Sequence, residues 1–411
     1  MAYSQAISGL TAASTDLDVI GNNISNANTV GYKEGAAQFA AMYANALNTS
    51  MNNGPGIGTR VAKIAQEFTQ GTIKETGQTL DMAINGNGFF TLSHNGAAQY
   101  SRNGQFTMDP SGKIVNAQGL SLMGYAPNAK GVLNTSTAVP LTVPSTSLEP
   151  QMTTKVQMEA NLNSASKTPS NHTFDADDTT SYNNATTAQV YDSLGNTHTL
   201  NLYYVKQSDT ASDWKVYATM DGKAVSKAAG GGTASVASLS FDASGQITKG
   251  KDTHITLSQD NGATSSQPLK LDFSKTTQFG ADFVATAVHS DGFTAGNLSS
   301  FALDPSGKLM GTYSNGQSKV LGQVALTSFT NPGGLSNLGD NVFAQSSASG
   351  QPQLGVAGTG ILGELKSGAT EASNVDLTSS LVDLITAQRY YQANAQTIKT
   401  QQAVDQTLMN L

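Results

Sequence analysis

The chain contains no cysteine. That excludes disulfides, thiolate nucleophiles and Cys-ligated metal sites. Chance would explain the absence, and so would a chain that must reach an oxidising space unfolded, where stray thiols misfire. Charge is also scarce. Only 12% of the 411 residues are Asp, Glu, Lys or Arg, about half the share in typical soluble domains. Asn, Gln, Ser and Thr fill the gap. The net charge of −7 comes with no basic patch, which argues against nucleic acid as a partner. No run approaches the ~18 apolar residues of a membrane helix, so membrane insertion is not expected. The first ten residues lack both a basic region and an apolar stretch, so no Sec-type signal peptide is expected.

Chemistry-bearing constellations are missing as well. His94, His172, His198, His254 and His289 stand outside metal-ligand spacing of one another. No paired carboxylates occupy an apolar context. The segment from Gly358 to Gly363 matches G-x-G-x-x-G but lacks the strand, helix and acidic residue of a dinucleotide site. The segment from Gly54 to Gly58 lacks the Lys-Ser/Thr of a phosphate loop. We expect no catalytic residue, no cofactor and no metal. The balance moves toward binding or architecture, with a secreted β-rich adhesin as one candidate class.

What is present differs between the ends and the middle. At the N-terminus Ala6, Leu10, Ala13, Leu17, Ile20, Ile24 and Ala27 recur at spacings of four and three, an a/d seam over about three heptads. At the C-terminus Leu377, Leu381, Leu384, Tyr391, Ala395 and Ile398 keep the same rhythm, Gln388 interrupts it, and the seam shifts to Val404, Leu408 and Leu411. Ser373 or Asn374 is the expected N-cap, with Asp376 in the first turn. Such seams need partners. Periodicity leaves two readings open, and an intramolecular pair is simpler than an intermolecular layer.

The middle reads as β. Strand-like runs cover 88–92, 114–115, 199–205, 214–219 and 320–329. A turn signal recurs: Asp109-Pro110-Ser111-Gly112-Lys113 and Asp304-Pro305-Ser306-Gly307-Lys308, with looser copies at Asp242–Gly245 and Asp192–Gly195. Asp first and Gly fourth fit a type I turn with a left-handed glycine, the bulged hairpin. The expected fold is mainly β with α-helical termini: coiled-coil-like terminal helices (1–30 plus 367–411), a connecting segment (31–70, with a Gly-rich linker at 45–58), a discontinuous β domain (71–146 plus 284–366), and an inserted antiparallel β domain (147–283).

Two segments carry a family resemblance. Val19 to Lys33, with Asn22-Asn23, Asn26 and Thr29-Val30-Gly31-Tyr32-Lys33, resembles the N-terminal signature of bacterial flagellar rod and hook proteins. Glu371 to Leu377 and Ala387 to Asn394 resemble the C-terminal signature of that family. Tyr100–Gly104 and Leu80–Ile84 are similar to its outer-domain core, and the length fits the hook branch better than the distal rod. The resemblance implies a homo-oligomer in which terminal helices of many subunits form an inner tube. On that basis the seam residues above, with Asn22, Asn23 and Asn26, are the expected polymerisation interface, and the ends of a free subunit are expected to be disordered. Asn22, Asn23, Asn26 and Thr29 are expected to end the helix and set the turn at Gly31. The resemblance also implies an extracellular tube, export by the flagellar type III route, and the distal rod, hook cap and hook–filament junction proteins as partners. A weakly charged outer surface suits contacts that exchange as such a tube bends.

Overall fold

A computed structural model describes residues 2–42, 56–128, 131–227, 232–259 and 261–409. They divide into two compact units, one formed by Met1–Ser145, Ser300–Thr312 and Ser318–Leu411, the other by Thr146–Ser299 and Tyr313–Gln317.

The second unit is built of two sheets around a shared core. One runs in the order Asn184–Tyr191, Thr197–Lys206, Asp213–Met220, Ala237–Phe241, Ile247–Lys249 and is antiparallel throughout. The other is mixed. Lys155–Asn163 pairs parallel with Ser266–Asp272 and Thr277–Phe279, and antiparallel with Val284–Ser290. The parallel pairs join strands about a hundred residues apart, across a long return that no hairpin signal announces. Alternation sets the core. Every second residue of Lys155–Asn163 is buried, and Trp214, Tyr204, Leu202, Leu257 and Phe273 are all at most 1% exposed. The sequence reading places Val284–Ser290 in the discontinuous domain. It is instead an edge strand of this unit with no fully buried residue, so its pattern carries little sign of where it belongs.

In the first unit the main sheet orders Lys308–Tyr313, Ser318–Ser328, Ser121–Tyr125, Phe89–His94, Ala97–Ser101, Val342–Ala344 and Ser336–Gly339. Phe89, Tyr100, Phe329 and Phe343 pack edge to face under it. All four Asp–Gly turn signals close hairpins in the two units. Gly112, Gly195, Gly245 and Gly307 have φ between 75° and 87°. In the first of them the Asp109 carboxylate accepts from the N–H groups of Ser111 and Lys113.

Two helices complete the first unit: α1 (Ala2–Ser25) and α2 (Leu377–Met409). Asp376 caps α2, its Oδ1 accepting from the N–H of Thr378 and Ser379; Ser373 and Asn374, the caps expected from sequence, do not cap. The 31–70 segment expected to be a connector forms a hairpin, Gly35–Met42 with Gly58–Gln66. Its Ala-rich strands have weak β propensity and are held by packing on α1. The linker expected at 45–58 lies outside the described residues up to 55. The helices α1 and α2 pack on one another.

Candidate functional site

The two chain ends meet at one buried junction. The last turn of α1 is tied off locally. Asn26 Nδ2 donates to the Asn22 carbonyl, and Thr29 Oγ1 donates to Asn26 Oδ1. Asn23 does more than end the helix. Its side chain donates to and accepts from the backbone of Gly35 at 2.8 and 3.0 Å, and the Tyr32 hydroxyl reaches both Asn22 and Asn23. Gly31 has φ +71°, and a Cβ there would stand 2.5 Å from the Asn103 nitrogen. Only glycine permits this turn against this backbone.

Beyond Gly31 the chain meets the strand Ala369–Glu371, which pairs with Ile73–Glu75. Gly31 N–H donates to the Glu371 carbonyl at 2.8 Å. The Lys33 ammonium contacts Glu371 Oε1 at 2.7 Å and the Thr69 carbonyl at 2.6 Å. Arg102 Nε approaches Glu371 Oε2 at 2.9 Å, as a charge contact off the hydrogen-bond line, and its Nη1 donates to the Gly86 and Gly88 carbonyls. Glu371 also accepts from Gly71 N–H. The Lys33 and Glu371 side chains are fully buried. Burial lowers the Lys33 pKa from its ordinary value; the charge and hydrogen bond of Glu371 oppose this, and Arg102 adds to it. Asn374 closes the junction, accepting from Glu34 N–H and donating to Glu67 O and Thr69 Oγ1, each at 2.8 Å. A buried ion pair adds little net stability, yet removing one partner costs about 3–5 kcal/mol. The network therefore fixes which segments join.

The helix pair extends from this junction. On α1, Ala6, Ala13 and Ile20 are buried as the seam requires, and so are Ala12, Val19 and Asn23, because α1 also packs against the hairpin. Leu10, Leu17, Ile24, Asn26 and Ala27 are half-buried and Asn22 is exposed. On α2 the face toward α1 is Ser380, Leu384, Ala387, Asn394 and Ile398, with Ala395 half-buried at its edge. The helices approach closely at Gly9, where a Cβ would stand 2.7 Å from Asn394 Oδ1. Leu377, Leu381, Gln388 and Tyr391, placed on the seam by sequence, are exposed. The Leu408 side chain lies outside the described residues. Sequence reasoning missed Lys33, Arg102, Glu371 and Asn374 as a unit. All four fall in segments that carry the resemblance, but their pairing has no local signature.

Among the described residues no group of His, Asp and Glu is placed to hold a metal ion, and no helix is long and apolar enough to cross a membrane.

Four family descriptions match successive segments. They are the flagella basal body rod protein over 5–33, the flagellar hook protein FlgE/F/G D1 domain over 83–164, the flagellar basal body protein FlaE D2 domain over 161–293, and the flagellar basal body rod FlgEFG protein C-terminal over 366–411. The chain is 45% identical over 418 residues to the flagellar hook protein FlgE of Salmonella typhimurium and 42% identical over 419 residues to that of Escherichia coli, covering 100% of both chains in each case. The hook protein FlgE of Borreliella burgdorferi is 34% identical, with 98% of each chain covered. The crystal structure of Helicobacter pylori flagellar hook protein FlgE2 shares the fold, with a TM-score of 0.52 at 14% identity over 71% of this chain and 99% of that one.

Proposed function

This chain belongs to the flagellar hook protein family and is a subunit of the hook; from that premise we propose that it polymerises through its terminal helices into a curved hollow tube, a joint that passes torque from motor to filament. The observation that carries this reading is the outer face of α2. Leu377, Leu381 and Ile385 are 44, 50 and 51% exposed. With Gln388 they fall within an arc of about 80° on the helix, beside the face that rests on α1. An apolar stripe on three successive turns of a helix marks a surface suited to burial against a partner. A neighbouring copy of the same helix pair covers it with no other component.

The interface residues divide accordingly. Ala6, Leu10, Ala13, Leu17, Ile20, Ile24, Leu384, Ala395 and Ile398 form the intrachain half; Leu377, Leu381 and Gln388 belong to the intersubunit half, and Tyr391, 38% exposed on the same face as Leu384, lies at the edge between them. Segments 1–30 and 367–411 make the inner layer and the inserted domain the outermost. The subunit is assigned no catalytic step. It leaves the cell by the flagellar type III route, which accommodates a cysteine-free chain, and joins the distal rod, hook cap and hook–filament junction proteins. The adhesin alternative leaves both terminal segments without a role.

Leu381→Glu with Ile385→Glu tests the reading. Both sites are exposed, so the monomer should keep its circular dichroism while sedimentable polymer is lost. Polymerisation at the wild-type critical concentration would refute it.

A further inference from the structure

Within the second unit a cavity of about 660 Å³ lies between its two sheets. One wall is the turn after Asp213–Met220, with Asp221, Lys223 and Val225; the other is the end of Asp252–Ser258, with Gln259. All of these residues belong to that unit, so the chain ends have no part in the cavity. Gln259 is only 6% exposed, and its Oε1 has no hydrogen-bond partner. Its amide is not free to turn over. Gln267 Nε2 donates to the Thr153 and Tyr191 carbonyls. That leaves Gln267 Oε1 as an acceptor, and it takes a hydrogen from Gln259 Nε2 at 2.7 Å. With its nitrogen turned to Gln267, Gln259 keeps its oxygen for the cavity that it lines. A buried acceptor without a donor is costly, and a bound molecule with a donor would meet it.

Asp221 is a second acceptor, and it is held in place. Its Oδ2 lies 2.6 Å from His198 Nδ1, and its Oδ1 accepts from Thr199 N–H at 2.8 Å. His198 Nε2 in turn lies 3.3 Å from Asp192, a fully buried carboxylate fixed by Asn196 and Asn261. The Asp221 side chain is nonetheless 48% exposed, so it meets a ligand already oriented. Lys223 and Lys227 stand exposed at the same rim, and Met220 and Val225 give the cavity an aliphatic floor on the core.

We propose that this cavity binds an acidic oligosaccharide, a short chain of uronic-acid sugars. Hydroxyl groups donate to Gln259 Oε1 and Asp221, carboxylates pair with Lys223 and Lys227, and the C–H faces of the rings lie on Met220 and Val225. The two lysines disfavour a cation. A simple anion brings no donor for Gln259 or Asp221, and a free amino acid fills too little of a volume that suits a larger molecule. Display of many copies on a polymer would add avidity to a weak site; that consequence alone rests on the polymerisation reading.

Calorimetry and ligand-observed NMR of the full-length, unpolymerised chain with trigalacturonate test the proposal. One saturable site per chain is expected. Lys223→Gln with Lys227→Gln, both exposed, should weaken it at least about tenfold, the loss expected for charge-assisted contacts. Lys249→Gln with Lys251→Gln, exposed at the far end of the strand Asp252–Ser258, should bind as the wild type. Gln259→Met, with Trp214 fluorescence confirming an intact core, should also weaken binding about tenfold. Should that variant fail to fold, the lysine pairs still decide. The proposal is wrong if trigalacturonate shows no saturable binding up to about 10 mM, or if the Lys223 and Lys227 pair binds within about threefold of wild type. It is equally wrong if the Lys249 and Lys251 pair loses as much, or if neutral galactotriose or a triglutamate peptide binds as tightly as trigalacturonate. No polymer is involved, so failure here is separate from failure of the polymerisation reading.

Discussion

Two glycines on the N-terminal arm respond oppositely to the same substitution. At Gly31, alanine meets two penalties. Its φ of +71° costs an L-residue about 1–2 kcal/mol. Its Cβ would lie 2.5 and 2.6 Å from the nitrogen and Cα of Asn103, which are backbone atoms that cannot rotate away. Relief requires residues 31–32 to move, and the 2.8 Å bond from Gly31 to the Glu371 carbonyl is then lost, at about 1 kcal/mol. The sum is about 2–3 kcal/mol against docking of the arm. Gly21 lies inside α1 with nothing within 4 Å of where an alanine methyl would stand, so alanine there should stabilise the helix by about 0.8–1.0 kcal/mol. Urea titration followed by helical circular dichroism measures both. Gly31→Ala should lower the midpoint of the helical signal and Gly21→Ala should raise it. Equal midpoints for Gly31→Ala and wild type, or a loss at Gly21 as large as at Gly31, would refute this account of the junction.

Other outcomes follow from the second unit, where Trp214, the single tryptophan of the chain, reports unfolding by its fluorescence. Burial lowers the His198 pKa, but hydrogen bonds and charges from Asp221 at 2.6 Å and Asp192 at 3.3 Å outweigh it and raise the group above its ordinary 6.5. A raised folded pKa gives stability that is present below pH 6.5 and lost as pH rises through the folded value. The unit should therefore melt in less urea at pH 9 than at pH 6, and His198→Asn should flatten that difference. Asp272 shows the opposite sign. Burial raises its pKa, yet Lys155 at 2.8 Å and the Ser274 contacts bring it down to about 2. Its contribution is present above pH 3.8 and fades as pH falls toward 2, so Asp272→Asn should flatten the acid limb of the stability curve. Leu202→Ala should cost about 2–5 kcal/mol in the same fluorescence melt, because Leu202 is fully buried, and should leave exchange in α1 unchanged.

Much of this fold was legible because its signals are local. An Asp followed three residues later by Gly specifies a hairpin whatever surrounds it, and all four copies became one. Alternation marked the strands Thr197–Lys206 and Asp213–Met220. A glycine-free and proline-free stretch marked α2 through about nine turns. The α2 seam was harder to place, because periodicity counts large apolar side chains while close helix contact uses small ones. Ser380 and Ala387 face α1; Leu377 and Leu381 do not. The hairpin at 35–66 was hidden by its alanines, which fit a strand only because α1 covers it. The junction was legible in its parts and not in its pairing. Gly31-Tyr32-Lys33 and Glu371–Asn374 each stand out in sequence, but no local pattern says that one charge answers the other across 338 residues, or that Arg102 joins them.

The central claim is that the outer stripe of α2 is buried by other copies of the chain. Electron cryomicroscopy of the assembled polymer, at a resolution that shows side chains, tests it most directly. Leu377, Leu381 and Ile385 should each lie in contact with terminal helices of neighbouring subunits, with Lys33, Arg102 and Glu371 still joined within each chain. A polymer in which that stripe faces water, and subunits touch only through their β units, would contradict the claim.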